Sequence, residues 1–399
     1  MANFDRKKFL IAWNDTATYP TYESIGKLFR RSEKWVLEQA KSFKSSKEQL
    51  IPREFSDSND PLNKMLLKEN LTLKQQLKTV RDQFKLVHHD SGNTDKLVEL
   101  IHGINGYKPQ LNPDWLTKKV ESTNPGCIAV LFLSDIHMGE VIIPSQVENL
   151  NEFNTEICIQ RLRNVFKRFL DIITNQITGL KIQSVVVMLG GDMLSGLIHE
   201  ELAETNDCPI FQSVIDASTV LSEGIAEIAK RFKKVYVPCV VGNHGRIHKK
   251  PRAKFRVQDN YEWLIYQQIA KNLKSFQDVV IEIPESPDCK FTLFDMNFVL
   301  THGDQFKGGN GIAGIFSPIM RGFSKKQKRH AALGTHISML CCGHFHSYMH
   351  GSGILMNGSV PGFSEYSSIG NFDYEVPQQA MFILHPSLGV TFRMPITCA

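Results

Sequence analysis

The chain has no apolar stretch approaching the roughly 20 residues that cross a bilayer as a helix. A helical integral membrane protein is therefore excluded. The opening residues, Met-Ala-Asn-Phe-Asp-Arg-Lys-Lys, lack the apolar core of a secretory signal, so a cytoplasmic location is expected. Cysteine is sparse and unpatterned. There are eight in 399 residues, several of them inside apolar runs (Cys239, Cys341, Cys342), and none stands at zinc-finger spacing from a histidine. Neither a disulfide scaffold nor a structural zinc site fits, and free buried thiols are expected. Internal repeats are absent. The net charge, +5, is mild, so the position of the charge says more than its sum. What remains, 42% hydrophobic and 22% charged residues, is the composition of a soluble globular protein with room for two or three domains.

What is present is concentrated in five short motifs: Asp135-Ile136-His137, Gly190-Gly191-Asp192, Gly242-Asn243-His244, Thr301-His302-Gly303 and Gly343-His344-Phe345-His346. They hold two carboxylates, one amide and five of the chain's fourteen histidines. Each follows a short apolar run: 128–133, 185–189, 235–241, 297–300 and 338–342. Runs of this length, bounded by glycine and polar residues, suit strands buried on both faces. Side chains at the carboxyl ends of such strands converge on one crevice. Oxygen ligands mixed with imidazoles suit Mn, Fe, Zn or Co better than Ca or Mg. Taken singly, each motif also fits a capping pair or a hydrogen-bonded structural histidine. His88, His89, His102, His330, His336, His350 and His385 have no such placement and are expected to be structural or solvated.

The order and chemistry of these motifs resemble the calcineurin-like metallophosphoesterases, and among them the DNA repair exonuclease-like proteins of bacteria and phages. The resemblance covers roughly residues 126–395. It implies an α/β fold of two mixed β-sheets packed face to face and flanked by helices. It also implies two divalent ions, Mn²⁺ first, with Fe, Zn, Co, Ni or Mg as alternatives. By the same resemblance Asp135, His137 and His346 bind one ion, Asn243, His302 and His344 the other, and Asp192 bridges them. His244 is left free as the catalytic histidine. The implied reaction is attack of a metal-bridging hydroxide on phosphorus, with His244 assisting at the leaving oxygen. One departure stands out. The family usually has an acidic residue after this histidine, and here it is Gly245. His244 then lacks a carboxylate partner or borrows one, with Asp304 and Glu200 as candidates.

Ahead of this region, residues 1–45 resemble a small all-α helix-turn-helix domain. Tyr22 to Phe29 reads as a helix with Ile25 and Leu28 inward. Ser32 is an N-cap for a further helix, 33–44, with Trp35, Val36 and Ala40 packing and Lys34, Glu38, Lys41 and Lys44 outward. Such domains bind DNA or dock proteins. Residues 46–125 read as a helical linker. Within it, 62–87 carries a heptad seam (Leu66, Asn70, Leu73, Leu77, Val80, Phe84, Val87) that fits a homodimeric coiled coil or a single helix packed on the catalytic domain, 126–399. In that domain, 154–176 and 213–232 have helical periodicity, and short strands are expected near 354–356, 381–384 and 390–393.

Two basic runs adjoin the motifs: Arg246, Lys249, Lys250, Arg252, Lys254 and Arg256, then Arg321, Lys325, Lys326, Lys328 and Arg329. Phe255, Phe316 and Phe323 interleave. Clustered cations beside a phosphodiester site suit a polyanion, and aromatics there suit stacked bases. Arg246, Lys249, Lys250, Arg252, Lys325 and Lys326 are accordingly candidate substrate contacts. His199 is another, with a plain surface role as its alternative. Solvated loops remain the alternative for the runs. The glycine-rich stretch 303–314 fits a phosphate-approaching loop or a flexible connection. Three functions stay open: a metal-dependent nuclease acting on DNA (or RNA), a phosphatase or small-molecule or cyclic-nucleotide phosphodiesterase, and a catalytically weak DNA-binding protein.

Overall fold

Strand β1, Cys127–Leu133, is seven consecutive apolar residues, all buried. Such a run has no wet face and must be covered on both sides. A computed structural model, which describes residues 12, 22–30, 34, 36, 112–119, 126–307 and 314–399, shows how. Successive side chains point to opposite faces of a strand. Ala129, Leu131 and Leu133 enter one apolar cluster, and Ile128, Val130 and Phe132 enter another.

The first cluster lies between a sheet and three helices. The sheet holds β2 (Ile182–Leu189), β3 (Val235–Pro238), β4 (Val279–Glu282), β10 (Gln378–His385) and β11 (Gly389–Thr397), in the order β11-β10-β1-β2-β3-β4. β1 to β4 run parallel. Helices α1 (Thr155–Asp171), α2 (Ile210–Arg231) and α3 (Tyr261–Asn272) make the crossovers between them. α1 buries Leu162, Val165, Phe166 and Phe169, the spacing of one helical face. Its N-cap Asn154 accepts a hydrogen bond from Ile157 N–H, which ends the helix cleanly. Each fully buried aliphatic side chain in this layer contributes about 1.5–3 kcal/mol.

The second cluster lies between two sheets. The other sheet has five strands, β5 (Asp288–Leu293), β6 (Met296–Thr301), β7 (Met339–Cys342), β8 (Met349–Gly351) and β9 (Ile354–Met356), in the order β5-β6-β7-β9-β8. Phe298 of β6 stacks on Phe382 of β10 at 6.0 Å and on Phe291 of β5 at 5.5 Å. Helix α4 (Phe316–Ala332) covers the outer face with Ile319 and Phe323. The result is two mixed sheets face to face with helices outside, as expected. All eight cysteines are free, and seven are buried. Among the described residues, no helix is long and apolar enough to cross a membrane.

Several elements were not anticipated. α3 buries residues on most of its circumference, so it shows little helical period. α4 coincides with the second basic run, whose charges masked its apolar stripe. β4 and β5 are short and carry polar residues. The third expected strand, 235–241, stops at Pro238.

The chain divides into two compact units, Met1–His89 and Asp90–Ala399. In the first, Tyr22–Phe29 is a helix with Ile25 buried and Leu28 half-buried. Lys34 and Val36 are helical. The rest of the expected helix 33–44, the helix-turn-helix arrangement as a whole and the seam over 62–87 lie outside the described residues. In the second unit, Leu116 is buried in the inter-sheet cluster and its carbonyl accepts from Phe294 N–H.

Candidate metal centre

Parallel strands deliver their C-terminal turns to the same edge. Here the turns after β1, β2 and β3 meet those after β6 and β7, and backbone hydrogen bonds join them. Asp135 N–H donates to Gly191 O (3.0 Å), and Ile136 N–H donates to Asp192 O (2.8 Å). Gly343 N–H donates to His302 O (2.9 Å). The two carboxylates join in. Asp192 Oδ1 accepts from His244 N–H and Asp135 Oδ1 from His344 N–H, both at 2.8 Å. Two motif glycines are required by this closeness. A Cβ on Gly242 would overlap Asp192 Oδ1, and one on Gly343 would overlap Asp135 Oδ2.

The crevice is strained. Twelve described non-glycine residues have positive φ, and five of them are here: Asp135 (52°), His137 (51°), Asp192 (52°), His344 (71°) and His346 (53°). Each such residue costs roughly 1 kcal/mol or more, and strain of this kind gathers where a site must be pre-arranged.

Three groups of ligand atoms result, each within 4.8 Å of one another: Asp135, His137 and His346; Asp192, His302 and His344; and His137, Asp192 and His244. The third group overlaps both others. The atoms fit cations rather than one another. His302 Nδ1 lies 2.9 Å from Gly190 O, an acceptor only, so Nδ1 carries the proton. In a neutral ring the Nε2 lone pair would then face Asp192 Oδ2 at 2.9 Å and Asn243 Oδ1 at 3.2 Å, acceptors that an ion between them would satisfy. On the other side His137 Nε2 and His346 Nε2 approach to 3.1 Å, with Asp135 Oδ1 3.5 Å from His346 Nε2.

The electrostatics agree. Burial opposes the charging of His302, yet the Asp192 carboxylate outweighs it and pushes His302 up to about 10. Burial would raise Asp192, but His302 and His244 hold it well below the usual carboxylate range. His344 is pushed down to about 4 by burial and then by His302. His137 is lowered by burial, then by His244 and His346. Without an ion the positive charge beside Asp192 is a proton on His302, while His344 and His137 are held neutral, and a metal ion bound there would replace that proton.

Among the described residues, no carboxylate is hydrogen-bonded to the His244 ring. Asp304 holds Arg256 at 2.7 and 2.8 Å, and Glu200 holds Lys249 at 2.6 Å. His244 Nδ1 instead lies 2.8 Å from the Ser195 carbonyl, which sets the tautomer and leaves Nε2 as the free ring nitrogen. The His199 ring sits 5.2 Å from that of His244 at the exposed rim.

The candidate substrate residues separate. Lys250 and Arg252 are exposed, and they share a small cleft with Asn243 and Arg246. Arg246 spends its guanidinium on the carbonyls of His248 and Lys249. Lys325 is exposed on α4. Lys326 is a correction: it is buried and paired with Asp288 at 2.5 Å, so it holds the second sheet to α4 and is not available to substrate. Phe323 is likewise buried in the core, while Phe255 is exposed.

Two carboxylates were missed. Glu140, three residues past His137, has Oε2 at 3.2 Å from His137 Nδ1, yet the two are not aligned for a hydrogen bond. Burial pushes Glu140 up to about 7. Its closeness to the first motif was the available signal. Glu262, pushed up to about 8 by burial and then by Asp192, lies 20 residues past Gly242 in sequence and directly beneath it in space. No motif announces it.

No protein-family profile and no curated protein matches the chain. Solved structures do. An uncharacterized protein of Streptococcus pneumoniae TIGR4, described as a predicted phosphoesterase, is 13% identical over 67% of this chain and 97% of its own, with a TM-score of 0.25. Vacuolar Protein Sorting 29 from Cryptosporidium parvum is 15% identical over 68% and 99%, with a TM-score of 0.29. The phosphopantetheinyl hydrolase of Mycobacterium tuberculosis is 11% identical over 63% and 94%, with a TM-score of 0.26. Likeness at this level carries no weight on chemistry, which rests on the chain's own residues.

Proposed function

We propose that this chain is a two-metal-dependent phosphodiesterase whose substrate is a nucleic acid, DNA before RNA. The observation that carries the reading is the overlap of the three ligand groups through His137 and Asp192. Asp135, His137 and His346 would hold one divalent ion and Asn243, His302 and His344 the other, with Asp192 shared. Such ions neutralise phosphate charge and lower the pKa of water toward about 7. Mn²⁺ is the first choice for this nitrogen and oxygen set, with Fe, Zn, Co, Ni or Mg as alternatives.

The chain's own residues do the rest. His244, oriented through Nδ1 by the Ser195 carbonyl, keeps Nε2 free, and only with a second proton on that nitrogen would the ring donate to a phosphate oxygen or protonate the leaving oxygen. Lys250 and Arg252, exposed beside Asn243, are placed to hold flanking phosphates. Exposed Phe255 offers a base a stacking face. The sequence of 1–45 supports DNA docking. A second reading, a phosphatase or small-molecule phosphodiesterase, is favoured by the engagement of Arg246 and Lys249 within the protein and by the burial of Lys326, which shrink the cationic surface.

The deciding experiment is hydrolysis of end-labelled single- and double-stranded DNA with Mn²⁺, beside p-nitrophenyl phosphate. Strand cleavage with little monoester turnover is expected. Rapid monoester turnover with intact DNA would select the second reading. Intact substrates with a metal-replete protein that still binds DNA would leave a binding protein.

A further inference from the structure

Helix α3 starts directly behind the metal centre, and its first turn holds the two central motifs. Glu262 is fully buried. Its Oε2 accepts from Gly242 N–H at 2.8 Å, and its Oε1 accepts from Met193 N–H at 3.1 Å. Gly242 precedes Asn243, and Met193 follows Asp192. The helix N-cap Asn260 adds a third tie, donating from Nδ2 to Gly242 O at 3.0 Å. Both polar groups of Gly242 are thus held by one helix start. A buried carboxylate is costly unless its oxygens are satisfied, and an apolar residue would fill the same space at less cost. What the carboxyl group adds is a pair of hydrogen bonds reaching two separate loops.

Asn260 and Glu262 together account for Gly245. A Cβ there would overlap Asn260 Oδ1 and come within 2.7 Å of Glu262 Cγ and 2.9 Å of Oε1. The Asn260 amide and the Glu262 side chain therefore occupy the space a side chain at 245 would need.

The geometry points to Glu262 as a positioning residue that fixes the separation of Asp192 from Asn243, and through it the site of the second ion. This rests on the two-metal reading. Glu262→Gln keeps the shape but turns an amino group toward one of the two N–H donors. Glu262→Asp withdraws the carboxylate by one methylene. Ile265→Val trims the core face of the same helix and serves as the control.

The readout is Mn²⁺ stoichiometry and affinity by calorimetric titration, with the spin-coupled pair followed by electron paramagnetic resonance. The wild type and Ile265→Val are expected to bind two ions alike. Both Glu262 variants are expected to keep one ion at wild-type affinity and to bind the second about 10–100-fold more weakly, the usual loss when a group behind a ligand is removed. Glu262 variants that bind both ions like the wild type would overturn the positioning role alone. So would an Ile265→Val that loses the second ion equally, since loosening of the helix would then explain the effect. A wild type that binds fewer than two ions overturns the two-metal reading and this role together.

Discussion

The ring of His244 is oriented by a backbone carbonyl rather than a carboxylate, so its partner carries no full charge. Of the two arrangements the sequence allowed for His244, a ring without a carboxylate partner or with a borrowed one, the structure shows the first. The carbonyl sets the tautomer and the plane of the ring. Removal of His244 should cost about 10²–10⁴-fold in kcat, the range for one acid–base group. Asp192→Ala should instead empty the site, because Asp192 faces His302, His244 and His137 at once. Metal analysis beside kcat for the two variants separates the roles. A His244→Ala protein that loses metal would make the histidine a ligand. The motif residues were legible because each sits within a few positions of a strand end. Glu262 was not, because its partners Met193 and Gly242 lie 69 and 20 residues away.

At the level of elements, the two basic runs turn out to be different objects. The first is a loop latched to the His302 turn through Arg256 and Asp304, with Lys250 and Arg252 free. The second is the helix α4, half of whose apparent site is a structural ion pair. Reversing Lys250 and Arg252 to Glu should weaken polynucleotide cleavage and flatten its salt dependence while sparing a small diester. Lys326→Ala should do the opposite. It removes the nearest partner of buried Asp288, leaving Thr301 Oγ1 at 2.8 Å and Arg329 at 3.5 Å, and should lower stability by about 1.5–3 kcal/mol, the range for a hydrogen bond to a charged group. Cleavage assays on both substrates and urea unfolding of both variants check this. Equal loss on both substrates in the loop variant would show that the loop supports the site's structure. Periodicity found α1 and α2 because each has one wet face. It missed α3, covered nearly all round, and α4, whose stripe is crossed by charge.

The whole molecule responds to pH through its crowded centre. Glu262 is raised from 4.5 to about 8, and His302 from 6.5 to about 10. Both folded values lie above the unfolded ones. Each group then contributes stability that is fully present below its unfolded pKa and is lost as pH rises through the folded value. Metal-free protein should therefore lose thermal stability between about pH 6.5 and 10, most steeply below about 8, where both groups contribute. Metal-loaded protein should lose less, since the ions replace the protons. Scanning calorimetry with a chelator and with Mn²⁺ across that window tests it, and a metal-free Tm that rises with pH would contradict the account.

By itself the sequence determined the local things: the buried strands, from apolar runs; the candidate ligand types, from motifs at their ends; and the free thiols, from unpatterned cysteines. These follow from residues close together in the chain. The tertiary structure alone decided that the two sheets bring five turns to one crevice, that Ser195 orients His244, that Lys326 is buried, and that Glu262 clasps the loops of Asp192 and Asn243. Those depend on which distant segments come within hydrogen-bonding distance, and no local pattern encodes that distance.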